Sequence, residues 1–266
     1  MNYIFVLQIH KGMKPIALIT GATAGIGRAT AKLLAANNYN VIITGRRAEL
    51  IHDLEEDIIK STSADVYSLA FDVRNNEEVE SALSSLPEEW KNISVLINNA
   101  GLSAGLEPIN EGSLDDWNRM IDTNVKGLLS ITKIVSNWMI PKKSGHIINI
   151  SSIAGKEAYA NGGVYCATKY AVDALTKSMR LDFLKHNIKV GSICPGMVET
   201  EFSIVRFHGD EEKAANVYKG LTPLYAEDIA ETILFMVTRP AHVNIDDVLI
   251  MPTAQGFTRD VIRKED

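Results

Sequence analysis

The chain has 266 residues, 46% of them hydrophobic, which is enough to bury a sizeable core in one domain. Its formal net charge of −6 and its lack of a dense Lys/Arg cluster argue against a nucleic-acid partner. The apolar run at residues 4–7 is too short to cross a bilayer, so no membrane segment is expected. Two cysteines, Cys166 and Cys194, match no disulfide or metal-ligand spacing, which is typical of a protein in a reducing cytoplasm.

The beginning of the chain precedes the regular pattern. Met13 stands immediately before the first strand-like run. We therefore interpret residues 1–12 as an extension or a misassigned start, and residues 13–266 as a single domain.

From Pro15 onward, short apolar runs alternate with longer amphipathic patterns. The apolar runs predict strands at 16–20, 41–44, 66–70, 95–98, 146–150, 189–193 and 248–250. The amphipathic patterns predict helices around 26–37, 48–60, 76–85, 114–138, 165–186 and 226–237. Such alternation predicts an α/β fold, a doubly wound parallel sheet of the Rossmann type that binds ligands at the carboxyl ends of its strands.

A glycine-rich turn, G-x-x-x-G-x-G, joins the first strand to the first helix. Glycines let the backbone approach a phosphate closely, and a helix N-terminus presents free N–H groups to it. The turn therefore predicts dinucleotide binding, although a plain strand-to-helix turn is the alternative. The expected cofactor contacts are Gly21, Thr23, Ala24, Gly25, Ile26 and Gly27.

Two arginines, Arg46 and Arg47, follow the second strand. An NAD-binding protein usually places an acidic residue there for the ribose hydroxyls. Two guanidinium groups instead match a 2′-phosphate, so the sequence predicts NADP. The alternative is a solvated basic turn leading into the next helix.

Tyr165 and Lys169 stand four residues apart at the start of a long helical pattern, so they share one helix face. For the phenol to act as an acid or base near neutrality, its pKa must fall by roughly 3 units, or about 4 kcal/mol. Lys169 and a cationic nicotinamide are expected to supply this. Taken alone, such a pair is far more often part of an exposed helix face than a catalytic device.

Four motifs in order make the pattern specific: T-G-A-T-A-G-I-G, N-N-A-G, S-S and Y-x-x-x-K. Together they resemble the short-chain dehydrogenase/reductase family over nearly the whole chain. The resemblance implies a seven-stranded sheet, hydride transfer with a nicotinamide cofactor and no metal, and a homotetramer. It implies the catalytic residues Asn124, Ser152, Tyr165 and Lys169.

The resemblance also distributes roles among these residues. The thirteen-residue interval to Tyr165 picks Ser152, and not Ser151, to donate a hydrogen bond to the substrate oxygen. Asn124 lies in a helical pattern that also contains Gly127, and both are poor helix formers. The family implies that Asn124 kinks this helix and holds a water against Lys169; a simple packing irregularity is the alternative.

Further cofactor contacts follow from the same resemblance. An Asp after the third strand is implied to bind adenine, although it could instead cap the next helix. The N-A-G segment is implied to pass beneath the adenosine ribose, although it could be a plain turn. The loop after the sixth strand is implied to cover the nicotinamide. These residues are Asp72, Val73, Asn99, Ala100, Gly101, Pro195, Gly196, Val198 and Thr200.

Residues 197–222 are predicted to form a substrate lid. With stretches at 226–229, 240–244 and 251–253, they resemble the family branch that oxidises serine and related 3-hydroxy acids with NADP. A carboxylate substrate requires a cation in the lid, and Arg206 is the candidate, with His208 second. A solvated arginine is the alternative.

The sequence thus predicts a cytoplasmic, homotetrameric, NADP-dependent oxidoreductase of small 3-hydroxy acids. One alternative is the same machinery acting on a 3-oxoacyl thioester, sugar, steroid or pterin carbonyl. Another is a non-catalytic NADP-sensing protein. His146 is interpreted as a structural histidine, and residues 256–266 as either an arm to a neighbouring subunit or a frayed tail.

Overall fold

The computed structural model describes residues 14–264, so the predicted extension at residues 1–12 lies outside the described part of the chain. Within it, seven parallel strands form one sheet in the order β3-β2-β1-β4-β5-β6-β7. The strands are β1 Ile16–Ile19, β2 Asn40–Gly45, β3 Val66–Ala70, β4 Ile93–Asn98, β5 Gly145–Ile150, β6 Ile188–Pro195 and β7 Asp247–Ile250. All seven predicted strands occur, with ends within two residues of those expected.

Helices cover both faces of the sheet. They are α1 Gly25–Ala36, α2 Ala48–Ser61, α3 Asn76–Ser84, α4 Leu114–Ile121, α5 Leu128–Met139, α6 Gly163–Phe183, α7 Phe202–Arg206, α8 Glu211–Asn216 and α9 Ala226–Val237. One hydrophobic core joins the sheet to α1, α2 and α9, and the other joins it to α3, α5 and α6. Successive residues of β1 alternate between them: Ile19 enters the first core and Leu18 the second. The predicted doubly wound fold is confirmed.

The long helical pattern around 114–138 is not one regular helix. A π-helical turn at Asp122–Gly127 separates α4 from α5. Thr123, Asn124 and Gly127 are buried within it. Single π turns within helices are frequent at functional sites, and they can kink the helix. The irregularity expected at Asn124 is therefore present.

The C-terminal segment is bonded to its own chain as far as Lys264, so the interpretation as a frayed tail is wrong for these residues, while the arm to a neighbouring subunit stays a prediction. Gln255 and Val261 form an antiparallel bridge, and the Lys264 N–H donates to the Gly220 carbonyl at 2.7 Å. Arg263 Nη2 donates to the Val217 carbonyl at 2.9 Å. The end of the segment, at Arg263 and Lys264, is therefore hydrogen-bonded to residues 217–220 of its own chain.

Candidate active site

A cavity of about 700 Å³ opens at the carboxyl ends of the strands. It lies beside β1 and β4, the neighbouring strands at which the strand order reverses. This is the point at which doubly wound sheets bind ligands. Most residues predicted from the sequence line it: Gly21, Thr23, Ala24, Gly25, Ile26, Arg46, Arg47, Asp72, Val73, Asn99, Ala100, Gly101, Ser152, Tyr165, Lys169, Pro195, Gly196, Val198, Thr200 and Arg206. Gly27, Asn124 and His208 are not part of its lining.

The glycine turn has the geometry that a phosphate requires. Gly21 has φ +66°, which favours glycine, and a Cβ on Gly27 would lie 2.3 Å from the Gly21 carbonyl oxygen. Gly27 therefore contributes by allowing α1 to pack closely on the turn. The N-cap residue Ala24 makes no side-chain cap, and the first turn of α1 has no acidic residue. The first N–H groups of α1 thus suit an anion such as a dinucleotide pyrophosphate.

Asn99 holds this turn in place. Its Nδ2 donates to the Thr20 carbonyl at 2.9 Å and to the Gly21 carbonyl at 3.1 Å. The Ala100 N–H donates to Thr20 Oγ1 at 3.0 Å. Both amide donors of Asn99 therefore serve the protein, and the end of β4 is fastened to the end of β1.

Arg46 and Arg47 lie at the cavity mouth, each about half exposed. Arg47 donates to Thr23 Oγ1 and pairs with Glu201 Oε2, both at 2.9 Å. Arg46 lies 3.9 Å from Asp72 Oδ2. Exposed ion pairs of this kind are weak, so a phosphate dianion can take their place. Two cations beside the glycine turn fit the 2′-phosphate of NADP.

The Asp72 carboxylate accepts hydrogen bonds from Arg74 and does not cap a helix. Partial burial would raise the pKa of Asp72, but hydrogen bonds from Arg74 lower it. The nearest of these side-chain contacts joins Arg74 Nη2 to Asp72 Oδ2 at 2.6 Å. Helix α3 is capped by Asn75, whose Oδ1 accepts from the N–H groups of Glu77 and Glu78. The capping alternative for Asp72 is therefore wrong.

The structure separates the roles of the two adjacent serines. Ser152 Oγ donates to the Pro195 carbonyl at 3.4 Å and accepts from the Ala154 N–H at 3.1 Å. It lies close enough to Tyr165 to lower the pKa of the phenol, against the larger effect of burial, and both residues line the cavity. Ser151 instead donates to the main-chain carbonyl of Lys169 at 3.3 Å. Ser152 therefore lies beside the phenol, as the interval to Tyr165 predicts, and Ser151 fastens α6 to the sheet.

Tyr165 and Lys169 are both buried on α6. Lys169 Nζ lies 5.9 Å from the centroid of the Tyr165 ring and donates to the Ile150 carbonyl at 2.9 Å. Burial raises the pKa of Tyr165, while the charge of Arg206 acts against this rise. Burial also lowers the pKa of Lys169 to about 8. Among the chain's own residues, desolvation therefore outweighs nearby charge. The lowering of the Tyr165 pKa expected from Lys169 together with a cationic nicotinamide stays a prediction.

The side chain of Asn124 makes three hydrogen bonds to the protein, which use both of its amide donors. Its Oδ1 accepts from the Leu102 N–H at 2.8 Å, and its Nδ2 donates to the Leu102 carbonyl at 2.8 Å and to Thr168 Oγ1 at 3.0 Å. A Cβ on Gly101 would lie 3.3 Å from Asn124 Oδ1 and 3.6 Å from Lys169 Nζ. Asn124 thus faces the same small space as the lysine, but it has no side-chain donor left for a water.

The lid candidate Arg206 points into the cavity. Its Nε donates to Ser103 Oγ at 3.1 Å and its Nη2 to Tyr159 Oη at 3.2 Å. Its Cζ lies 5.2 Å from the centroid of the Tyr165 ring and 5.0 Å from that of Phe202. The solvated-arginine alternative is therefore wrong.

The second lid candidate lies elsewhere. His208 Nε2 is 3.1 Å from Asp116 Oδ2, on the α4 side of the lid. It has φ +54°, so the chain turns sharply at the end of α7 and carries this ring away from Arg206. His208 is therefore positioned to fasten the lid to α4.

Several residues in or beside the cavity wall escaped the sequence analysis. Ser103 is buried in the loop after β4, Tyr159 lies between β5 and α6, and Arg259 stacks on the Tyr159 ring at 4.7 Å. Thr258 and Val261 also line the cavity from the C-terminal segment. These residues carry no periodic or spacing signal, because only the fold brings them together.

Other candidate groups lie outside this chemistry. Burial lowers the pKa of His146 to about 3, so it is a neutral residue of β5. Burial raises the pKa of Cys194 to about 12, and Cys166 is also a buried free thiol. Within residues 14–264, no group of three or more His, Cys, Asp or Glu residues is arranged to hold a metal ion. No helix in that range has the length and apolar composition to cross a bilayer.

The family model for short chain dehydrogenases matches residues 15–210, and the chain belongs to this family of oxidoreductases. Its relatives include the NADP-dependent 3-hydroxy acid dehydrogenase YdfG of Salmonella typhi, 46% identical over 91% of this chain and 96% of the relative. The NADP-dependent 3-hydroxy acid dehydrogenase of Schizosaccharomyces pombe is 41% identical over 93% and 96%. The closed form of a serine dehydrogenase complexed with NADP+ is 42% identical, with a TM-score of 0.88 over 94% of this chain and all of that one.

Proposed function

We propose that the protein is an NADP-dependent dehydrogenase of small 3-hydroxy acids, as its relatives are named. The observation that carries the substrate class is the placement of Arg206. Its guanidinium lies over the Tyr165 ring, at the side of the cavity that also contains Ser152. A ligand that joins an oxygen at Tyr165 to an anion at Arg206 needs a hydroxyl and a carboxylate a few bonds apart.

The lining of the cavity contains the residues that would bind the cofactor. The N-terminus of α1 and the turn beginning at Gly21 hold the pyrophosphate, and Arg46 and Arg47 hold the 2′-phosphate. Asp72 and Val73 contact the adenine, and Asn99, Ala100 and Gly101 support the ribose. Pro195, Gly196, Val198 and Thr200 cover the nicotinamide. When bound, NADP supplies the acceptor for the hydride that leaves the hydroxyl-bearing carbon.

Tyr165 acts on the substrate hydroxyl as general base, and in the reverse direction it returns the proton to the carbonyl oxygen. Ser152 donates a hydrogen bond to that oxygen as charge develops on it. Burial makes the Tyr165 phenolate costly, so added positive charge is needed before proton removal. Lys169, Arg206 and the oxidised nicotinamide provide it together.

Asn124 supports this reaction by holding the backbone beside Lys169 in place. Its amide fastens the π turn to the loop at Leu102 and so sets the space beside Lys169. A relay water in that space would donate to Asn124 Oδ1, since the amide donors are already used. Tyr165 can then exchange its proton with solvent through Lys169.

The domain and the assembly are part of the proposal. Residues 13–266 form one domain with the lid at 197–222, in the cytoplasm, and four copies associate through α4, α5 and α6. Leu129 and Tyr170 are 40% and 44% exposed on α5 and α6, and they would be covered in such an assembly. Light scattering tests this: a mass near four times 29.2 kDa is expected, and a monomer would contradict it.

The test of function follows absorbance at the reduced-nicotinamide band with NADP or NAD and a panel of alcohols. We expect NADP reduction with serine, 3-hydroxypropionate and 3-hydroxyisobutyrate, and little with NAD. The panel includes the methyl ester of 3-hydroxypropionate, which keeps the hydroxyl and lacks the charge. Arg206→Ala is expected to raise KM for the acid by roughly 10–100-fold with little change in KM for the ester. It should lower kcat for both substrates, because Arg206 also stabilises the Tyr165 phenolate. Turnover of a bulky ketone with NADPH but of no acid would favour the alternative carbonyl substrates.

A further inference from the structure

We propose that Ser103 and Tyr159 are positioning residues that hold the Arg206 guanidinium ready for a carboxylate. This inference rests on the proposed function and goes beyond it, because it concerns how the cation is presented and which residues set its selectivity. Three segments far apart in sequence converge here: the loop after β4, the loop before α6 and the end of α7.

Arg206 needs such support because of where it stands. It is the last residue of α7, a helix of five residues, and its side chain is long and flexible. Ordering such a side chain on substrate binding costs conformational entropy, which weakens binding unless the protein has already ordered the side chain. The contacts of the guanidinium show that the protein has done so.

Ser103 anchors one side. It is 1% exposed, and its Oγ accepts from Arg206 Nε at 3.1 Å. Two residues further on, the Gly105 N–H donates to the main-chain carbonyl of Arg206 at 3.0 Å. The loop after β4 therefore holds both the backbone and the side chain of the arginine.

Tyr159 anchors the other side. Its hydroxyl accepts from Arg206 Nη2 at 3.2 Å, and Arg259 stacks on its ring. Burial raises the pKa of Tyr159, so it remains a neutral phenol. A neutral hydroxyl fixes the guanidinium without cancelling its charge.

The chemistry of these two partners is the decisive point. Within residues 14–264, the side-chain hydrogen bonds of Arg206 go to neutral hydroxyls, whereas Arg47 is paired with the carboxylate of Glu201. A carboxylate partner would cancel the positive charge in the site. Hydroxyl partners fix the geometry and leave the full charge for the substrate. Three of the five N–H donors of the guanidinium also remain for it.

The test measures kcat/KM for 3-hydroxypropionate and for its methyl ester in Ser103→Ala and Tyr159→Phe. The expected result is a roughly tenfold fall in the acid-to-ester ratio in each variant, from a higher KM for the acid at nearly unchanged kcat. Turnover of the ester shows that each variant is folded. Tyr67→Phe and Ser136→Ala are the matched controls, because Tyr67 packs on Trp90 and Ser136 donates to the Lys133 carbonyl, away from Arg206, and they should keep the wild-type ratio.

A combination of variants distinguishes positioning from other roles. If Tyr159 acts through Arg206, adding Tyr159→Phe to Arg206→Ala should cause no further fall in the ratio. A further fall of the same size would overturn the positioning role. If both single variants kept the wild-type acid-to-ester ratio, the positioning role would also be overturned. The proposed function would still stand in that case, provided that the wild type prefers the acid. If the wild type itself showed no acid preference, the proposed function would fail, and this inference with it.

Discussion

The amide of Asn124 offers a quantitative test of how the π turn is held. Asn124→Ala removes three hydrogen bonds, two to the main chain of Leu102 and one to Thr168 Oγ1. Leu102 and Thr168 are 5% and 2% exposed, so their groups are left without water as well as without the amide. At about 1 kcal/mol for each bond, the free energy of unfolding should fall by about 3 kcal/mol. In a chain of this size that corresponds to a Tm lower by about 6–12 °C.

Urea denaturation followed by circular dichroism, at one fixed protomer concentration, measures this difference. The matched control is Asn137→Ala, since Asn137 is an exposed residue of α5. Replacing it should change stability by less than about 0.5 kcal/mol. If the two variants differed by less than about 1 kcal/mol, the argument that the amide fastens the π turn to the loop would be refuted.

Three further predictions concern charge and space in the cavity. Burial lowers the pKa of Lys169 to about 8, and the unfolded chain, with a lysine pKa near ~10.4, binds more protons between these values. The free energy of unfolding therefore rises with pH across that window, and in Lys169→Met the rise should be smaller by up to about 3 kcal/mol in urea titrations. Arg47→Ala should weaken NADPH binding by roughly 10–100-fold in fluorescence titrations and leave NADH binding unchanged; equal losses would contradict the 2′-phosphate assignment. Gly27→Ala should lower both Tm and cofactor affinity, because the new Cβ meets the Gly21 carbonyl at 2.3 Å. A stabilised protein, as helix propensity alone predicts, would show that the turn can yield.

The strands and the glycine turn were predictable because their signals are local. Parallel strands covered on both faces read as continuous apolar runs, and all four residues of β1 are buried. The turn after β1 follows a strand and opens a helix, which is the context that gives its glycines meaning. The same logic located the irregularity at Asn124, because an Asn and a Gly inside a helical pattern conflict with helix propensity.

The rest depended on information that no local pattern carries. Ser103, Tyr159 and Arg206 meet only after the chain has folded, so their spacing in sequence is uninformative. Residue spacing describes the charge of Lys169 beside Tyr165 but not the desolvation that raises the pKa of the buried phenol. The sequence offers both Arg206 and His208 as cations for the substrate. It does not reveal that His208 adopts a positive φ and that its ring lies beside Asp116.

The π turn also determines the rotational phase of the helices on either side of it. Asp116 of α4 and Met139 of α5 are both buried. In an uninterrupted α-helix, at roughly 100° per residue, these two positions would point about 140° apart; with one residue absorbed by the π turn, they point about 40° apart. A chain one residue shorter at this turn would therefore keep both helices in phase. The extra residue lies in the turn from which Asn124 reaches Leu102 and Thr168, so the same turn sets both the phase of the helices and the position of the amide.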